Sequence, residues 1–236
     1  SLWRQGDDMG FAGKGGFPAR AAGWALTMLG VLVAWVFFRA TTVHGALAML
    51  QAMAGCQPEY GPVVLAGLRA VVEPEFNLHG IQGTTGSVTP LFIVNGPIAP
   101  LLEINSGSNA LGSGCRANAT IGRALRLILM NVGGALPGQL DPSTLGQPGK
   151  YTFCAAENEE RNAWDPLHVE RGFAPADSTV TAFGASGIIE IVGTAAPSSE
   201  ELLTIVAGTM TPMGMVGSLG YIGSGQPLIV LCPEHV

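Results

Sequence analysis

The chain has 236 residues, 34 of them glycine; 12% are charged, the formal charge is −6 and the mean hydropathy is +0.37. This length allows one or two domains, and so apolar a composition excludes a disordered chain. An acidic balance with no basic, aromatic-interleaved stripe excludes nucleic acid as a partner.

Residues 1–20 are polar and glycine-rich and read as a loop, without a signal-peptide cleavage pattern. Residues 21–38 carry no charge and lie between Arg20 and Arg39, with Trp24 and Trp35 near the two ends. This predicts a transmembrane helix with its N-terminus inside; a buried core helix is the competing reading. Residues 41–54 continue as an amphipathic, small-residue helix, with Val43, Ala46, Leu47, Leu50 and Met53 at helical spacing, ending at Gly55. The run from Leu26 to Gly55, and above all the WVFFRA core at residues 35–40, resembles the C-terminal region of membrane-bound O-acyltransferases of the alginate O-acetyltransferase type. The resemblance implies residence in the inner (cytoplasmic) membrane of a bacterium. It does not imply acyl transfer, because the family's catalytic histidine lies upstream of this run and His44 follows it.

After Cys56 the character changes, and residues 57–236 read as an α/β domain, cut short at its C-terminus. Pro62 to Val72 predicts a helix with proline in its first turn. Residues 76–86 form a polar loop holding His79, Thr84 and Thr85. Leu91 to Val94 is a short apolar run, read as a buried strand that ends in the turn Asn95-Gly96-Pro97. A strand leading into a polar turn is a good place for ligand contacts in an α/β domain.

Residues 104–134 organise the rest. A loop of glycine, serine and asparagine runs into an apolar stripe, Ile121, Ala124, Leu125, Ile128, Leu129 and Val132, at the helical period, and Gly133-Gly134 stops it. A helix start presents free N–H groups and partial positive charge. Arg116, Arg123 and Arg126 near that start oppose the helix dipole. Either a bound anion explains them or they pair with the acidic segment downstream. The loop contains neither GxGxxG nor a P-loop, so no nucleotide is indicated.

Residues 137–149 are a proline- and glycine-rich loop, and residues 151–155 a strand. Residues 157–173 hold the densest charge, with Glu157, Glu159, Glu160, Asp165, His168 and Glu170. Carboxylates around a histidine serve as acid and base or hold a divalent metal, but the spacing is no known ligand set, and a solvated loop has the same composition. Residues 178–183, 188–192 and 228–232 read as strands, and Ser198 with Glu201 as a capping box opening a helix. That order predicts a parallel crossover in the C-terminal third. Residues 210–226 read as a methionine- and glycine-rich loop. Cys56, Cys115, Cys154 and Cys232 are far apart, with no zinc-ligand spacing; they read as buried or single reactive thiols in a reducing compartment, and no metal site is predicted.

FNLHGIQGTT, the stretch from Ile104 to Gly134, LGQPGKYTFCAAENEE and WDPLHVERGF, in that order across residues 70–236, resemble an uncharacterised family associated with the UGSC redox motif. The motif itself is absent, so the resemblance implies a partner chain that carries it. It also implies a shared site built from Asn77, His79, Asn105, Asn109, Arg116, Asn118, Glu157, Glu159, His168 and Glu170. The resulting expectation is an α/β fold: one N-terminal transmembrane helix and a mixed or parallel sheet with helices. In function it is a membrane-tethered subunit of a small-molecule enzyme with thiol or redox chemistry. His168, Glu157, Glu159 and Cys115 are its catalytic candidates. Asn105, Asn109, Arg116, Asn118, Arg123 and His79 are its contacts to an anionic ligand. The sequence names no cofactor. The alternatives are a non-catalytic acyltransferase fragment fused to an unrelated domain, and a binding module without chemistry.

Overall fold

The computed structural model describes Gly45, Ala52 and residues 54–192, 198–211 and 227–235. Internal contacts divide the chain into two units, Ser1–Met49 and Leu50–Val236, and the sheet with its surrounding helices belongs to the second. The expected transmembrane helix at 21–38, all but three residues of the helix at 41–54 and most of the loop at 210–226 lie outside the described residues. Among the described residues no helix is long and apolar enough to cross a membrane.

The second unit is mixed α/β, built on a three-stranded sheet of order β2-β1-β3. β1 (Thr89–Asn95) is the apolar run read from the sequence, and six of its seven residues are buried. A strand covered on both faces has no need of polar alternation, which is why LFIV appears unbroken. β2 (Cys154–Ala156) runs parallel to it, in the register Phe92 to Cys154 and Val94 to Ala156. β3 (Thr179–Ala185) runs antiparallel on the other side, from Asn95 opposite Thr179 to Thr89 opposite Ala185.

Before the sheet come α1 (Gly61–Val72), with proline in its first turn, and α2 (Leu78–Gln82). α1 buries Val63, Val64, Gly67 and Val71. A Cβ on Gly67 would overlap the Phe92 ring of β1, so glycine sets how closely this helix approaches the sheet. α2 forms inside the stretch read as a polar loop. Asn77, at φ 53, caps it by accepting the Gly80 N–H at 3.2 Å.

The link from β1 to β2 contains α3 (Ile98–Leu101) and α4 (Arg116–Asn131). α4 is the predicted central helix; Ile121, Ala124, Leu125, Ile128 and Leu129 bury its apolar stripe, while Val132 lies just beyond its end and is 59% exposed. The parallel crossover is therefore here and not in the C-terminal third. There β3 is antiparallel, and α6 (Ser199–Met210), which follows the short α5 (Leu167–Glu170), leads to no described strand. Ser198 does cap α6, accepting the Glu201 N–H at 3.3 Å.

Two predicted strands do not form. Residues 188–192 and 228–232 are extended loop, with Ile188, Val192, Ile229 and Val230 all more than half exposed. Their composition suits a strand, but a strand exists only with a ladder partner, and neither segment pairs with the outer edge of β2 or β3.

Candidate functional site

In a parallel β–α–β unit, ligands collect beyond the carboxyl ends of the strands. Two side-chain clusters lie at that end of β1 and β2. The backbone joins them through consecutive amides: Ala156 N–H donates to Asn105 O, and Glu157 N–H donates to Val94 O, each at 3.2 Å.

The first cluster lines a cavity of about 560 Å³ at the start of α4. Tyr60, Glu103, Asn105, Asn109, Cys115 and Arg116 are among its walls. Cys115 occupies the N-cap position of α4 and makes no side-chain cap bond. The Arg116 guanidinium donates twice to Gly55 O, at 3.1 and 3.0 Å, which leaves other N–H donors of its five unused. Asn105 and Asn109 brace the loop, Asn105 accepting the Gly107 N–H and Asn109 donating to Ser113 O. Glu103 and Asn109 both hold positive φ, 54° and 59°, a conformation that L residues keep only where the surroundings impose it. Tyr60 is 5% exposed, and burial pushes its phenol up from the ordinary value, with Arg116 pulling the other way.

The second cluster sits at the tip of β1. Asn95 donates through Nδ2 to Glu157 at 2.5 Å and to Glu159 at 2.8 Å, and the Gly96 N–H donates to Glu159 at 2.7 Å. Gly96 holds φ +83, and a Cβ there would overlap the Asp177 carbonyl, so only glycine fits the turn. Glu157 also accepts from Asn162 Nδ2 and from the Leu167 N–H, which fixes the start of α5. His168 on α5 is buried, its Nδ1 lying 3.7 Å from Glu159 Oε1. Both of its ring nitrogens, Asn95 Oδ1 and Thr179 Oγ1 are buried without a hydrogen-bond partner. Asn95 and Thr179 are direct partners across the ladder, so they share a face. Among the described residues no three His, Cys, Asp or Glu side chains are placed to hold a metal ion.

The structure thus brings His168, Glu157 and Glu159 together and places Cys115 in the other cluster. Of the expected ligand contacts, Asn105, Asn109 and Arg116 line the cavity and three do not. Asn118 is buried and spends its amide on the loop: Oδ1 accepts from the Asn105 N–H and lies 2.9 Å from Cys115 Sγ, while Nδ2 donates to Asn105 O and Ala110 O. Arg123 is half-buried further along α4, and His79 is exposed on α2; neither lines the cavity. The acidic segment does not neutralise the arginines of α4. Arg126 is buried and pairs at 2.6 Å with Asp141, which Lys150 also meets at 2.7 Å. Of the cysteines, Cys154 is buried in β2, and burial, with the nearby Cys115 and Cys56, pushes its thiol up to about 12. Burial also pushes up Cys56, whose thiol donates to Thr120 O at 3.2 Å.

Tyr60, Glu103 and Asn95 escaped the sequence reading as site residues. Asn95 had a signal, since it ends an apolar strand before Gly-Pro. Tyr60 and Glu103 belong to no motif, and Tyr60 reaches the cavity only through the fold. No protein-family model, characterised protein or solved structure matches this chain.

Proposed function

We propose that this chain is a subunit of a small-molecule enzyme of the UGSC-associated type, tethered to a bacterial cytoplasmic membrane through residues 21–38. An anionic group of the substrate binds at the start of α4, Cys115 beside it supplies a thiol, and His168 with Glu159 handles protons at the tip of β1. The UGSC redox motif comes from a partner chain. The observation that carries this reading is an uncapped helix of 16 residues opening, beside Arg116, into a cavity of about 560 Å³. Unpaired N–H groups and the helix dipole favour an anion there, and Arg116 adds a full positive charge. The volume is ordinary for a metabolite site.

The test is titration of the full chain with inorganic phosphate and with acetate. Arg116→Ala is expected to weaken both by about tenfold, the worth of one charge-assisted hydrogen bond, while the melting temperature stays within a few degrees. Arg116→Lys, which keeps the charge, is expected to fall between. Affinity unchanged in Arg116→Ala overturns the reading.

A further inference from the structure

The cavity at the start of α4 carries a second charge, of opposite sign. Glu103 lines it together with Arg116, yet the two do not pair. Arg116 is turned onto Gly55 O, and the carboxylate of Glu103, an exposed residue, makes no hydrogen bond or ion pair among the described residues. Glu103 is held there by a left-handed backbone at φ 54, and its carbonyl accepts from Cys115 Sγ at 3.3 Å, so it is fixed to the same loop. The Tyr60 phenol is a third group at the cavity without a protein partner. The residue is only 5% exposed, it lines the same cavity, and its hydroxyl has no partner among the described residues.

An anion alone would satisfy Arg116 and the helix start but would be repelled by Glu103. A ligand carrying both an anionic group and an ammonium group meets all three. We infer that the cavity selects a zwitterion of the amino-acid class, its anionic group at the start of α4 beside Arg116 and its ammonium at Glu103, with Tyr60 hydrogen-bonding between them. The inference rests on the anion reading of the site and adds the second charge to it.

The experiment titrates the full chain with glycine, β-alanine and γ-aminobutyrate, each against the carboxylate of equal length: acetate, propanoate and butanoate. These probes have no side chain to clash, and the series steps through charge separation. At least one zwitterion is expected to bind about fivefold or more tightly than its carboxylate, the scale of a partly exposed charge pair. Glu103→Gln is expected to erase that difference while leaving the carboxylate's own affinity equal or stronger, since a repulsion has gone. Tyr60→Phe is expected to weaken the zwitterion more than the carboxylate. If every zwitterion binds no better than its carboxylate, the inference falls and the anion reading stands. If neither class binds, both fall. A zwitterion preference that survives Glu103→Gln also overturns the inference, because the ammonium is then held elsewhere.

Discussion

Asp141 shows how a single residue settles what a row of arginines means. In the sequence, Arg116, Arg123 and Arg126 form one cationic stripe, but the fold separates them: Arg116 lines the cavity and Arg123 does not. Arg126 is turned inward to Asp141, Gln82 and the Ala135 carbonyl. Burial pushes the Asp141 carboxyl up, but hydrogen bonds from Lys150, Ser143 and Arg126 outweigh it and hold the group at about 2, below its ordinary 3.8. A carboxyl whose folded value is lowered stabilises in full above its unfolded value. That contribution is therefore present above about pH 4 and lost as the pH falls through about 2. Asp141→Asn leaves Arg126 buried without its counter-ion, and the expected cost is about 3–5 kcal/mol by urea unfolding at pH 7. The gap between variant and parent is expected to shrink towards pH 2. A loss below about 1 kcal/mol at pH 7 would show that the pair is not holding the loop after α4.

At the scale of elements, two helical glycines make opposite predictions. Gly67 in α1 faces Phe92 with no room for a methyl group, while Gly208 in α6 has nothing within 4 Å of where one would go. Alanine gains about 1 kcal/mol of helix propensity at either position. At Gly67 overpacking, at about 1–3 kcal/mol, exceeds that gain. Thermal melts are expected to show Gly67→Ala destabilised and Gly208→Ala slightly stabilised; the reverse order would contradict the close packing of α1 on β1. The same scale explains what the sequence could reveal. α4, β1 and the Ser198 cap were legible because each is a local pattern: an apolar stripe, an unbroken apolar run before Asn-Gly-Pro, and a serine three residues before a glutamate. Residues 188–192 and 228–232 have equally good strand composition. Whether they pair depends on whether the fold lays them along a free ladder edge, and no local pattern contains that. The antiparallel direction of β3 was hidden for the same reason. Within the candidate site, Asn105, Asn109, Cys115 and Arg116 could be read because one continuous loop holds them. Tyr60 could not, because it arrives from a different part of the chain, and Glu103, just before that stretch, carries no motif.

At the scale of the whole molecule, Phe92 and Val94 of β1, Val64 and Val71 of α1 and Ile121 and Ala124 of α4 are fully buried and form the centre of the core. Residues 57–236, produced without the segment before them, are expected to melt in one cooperative transition by circular dichroism. A featureless thermal profile would show that the preceding segment completes the core. The two clusters at the carboxyl end of the sheet meet the backbone at Ala156 and Glu157, whose N–H groups point to different partners. One is bonded to the loop that walls the cavity, the other to the end of β1. Deuterium uptake at two adjacent amides thus gives separate clocks: the Ala156 hydrogen times the release of the cavity loop, and the Glu157 hydrogen times the opening of the strand tip that carries Asn95.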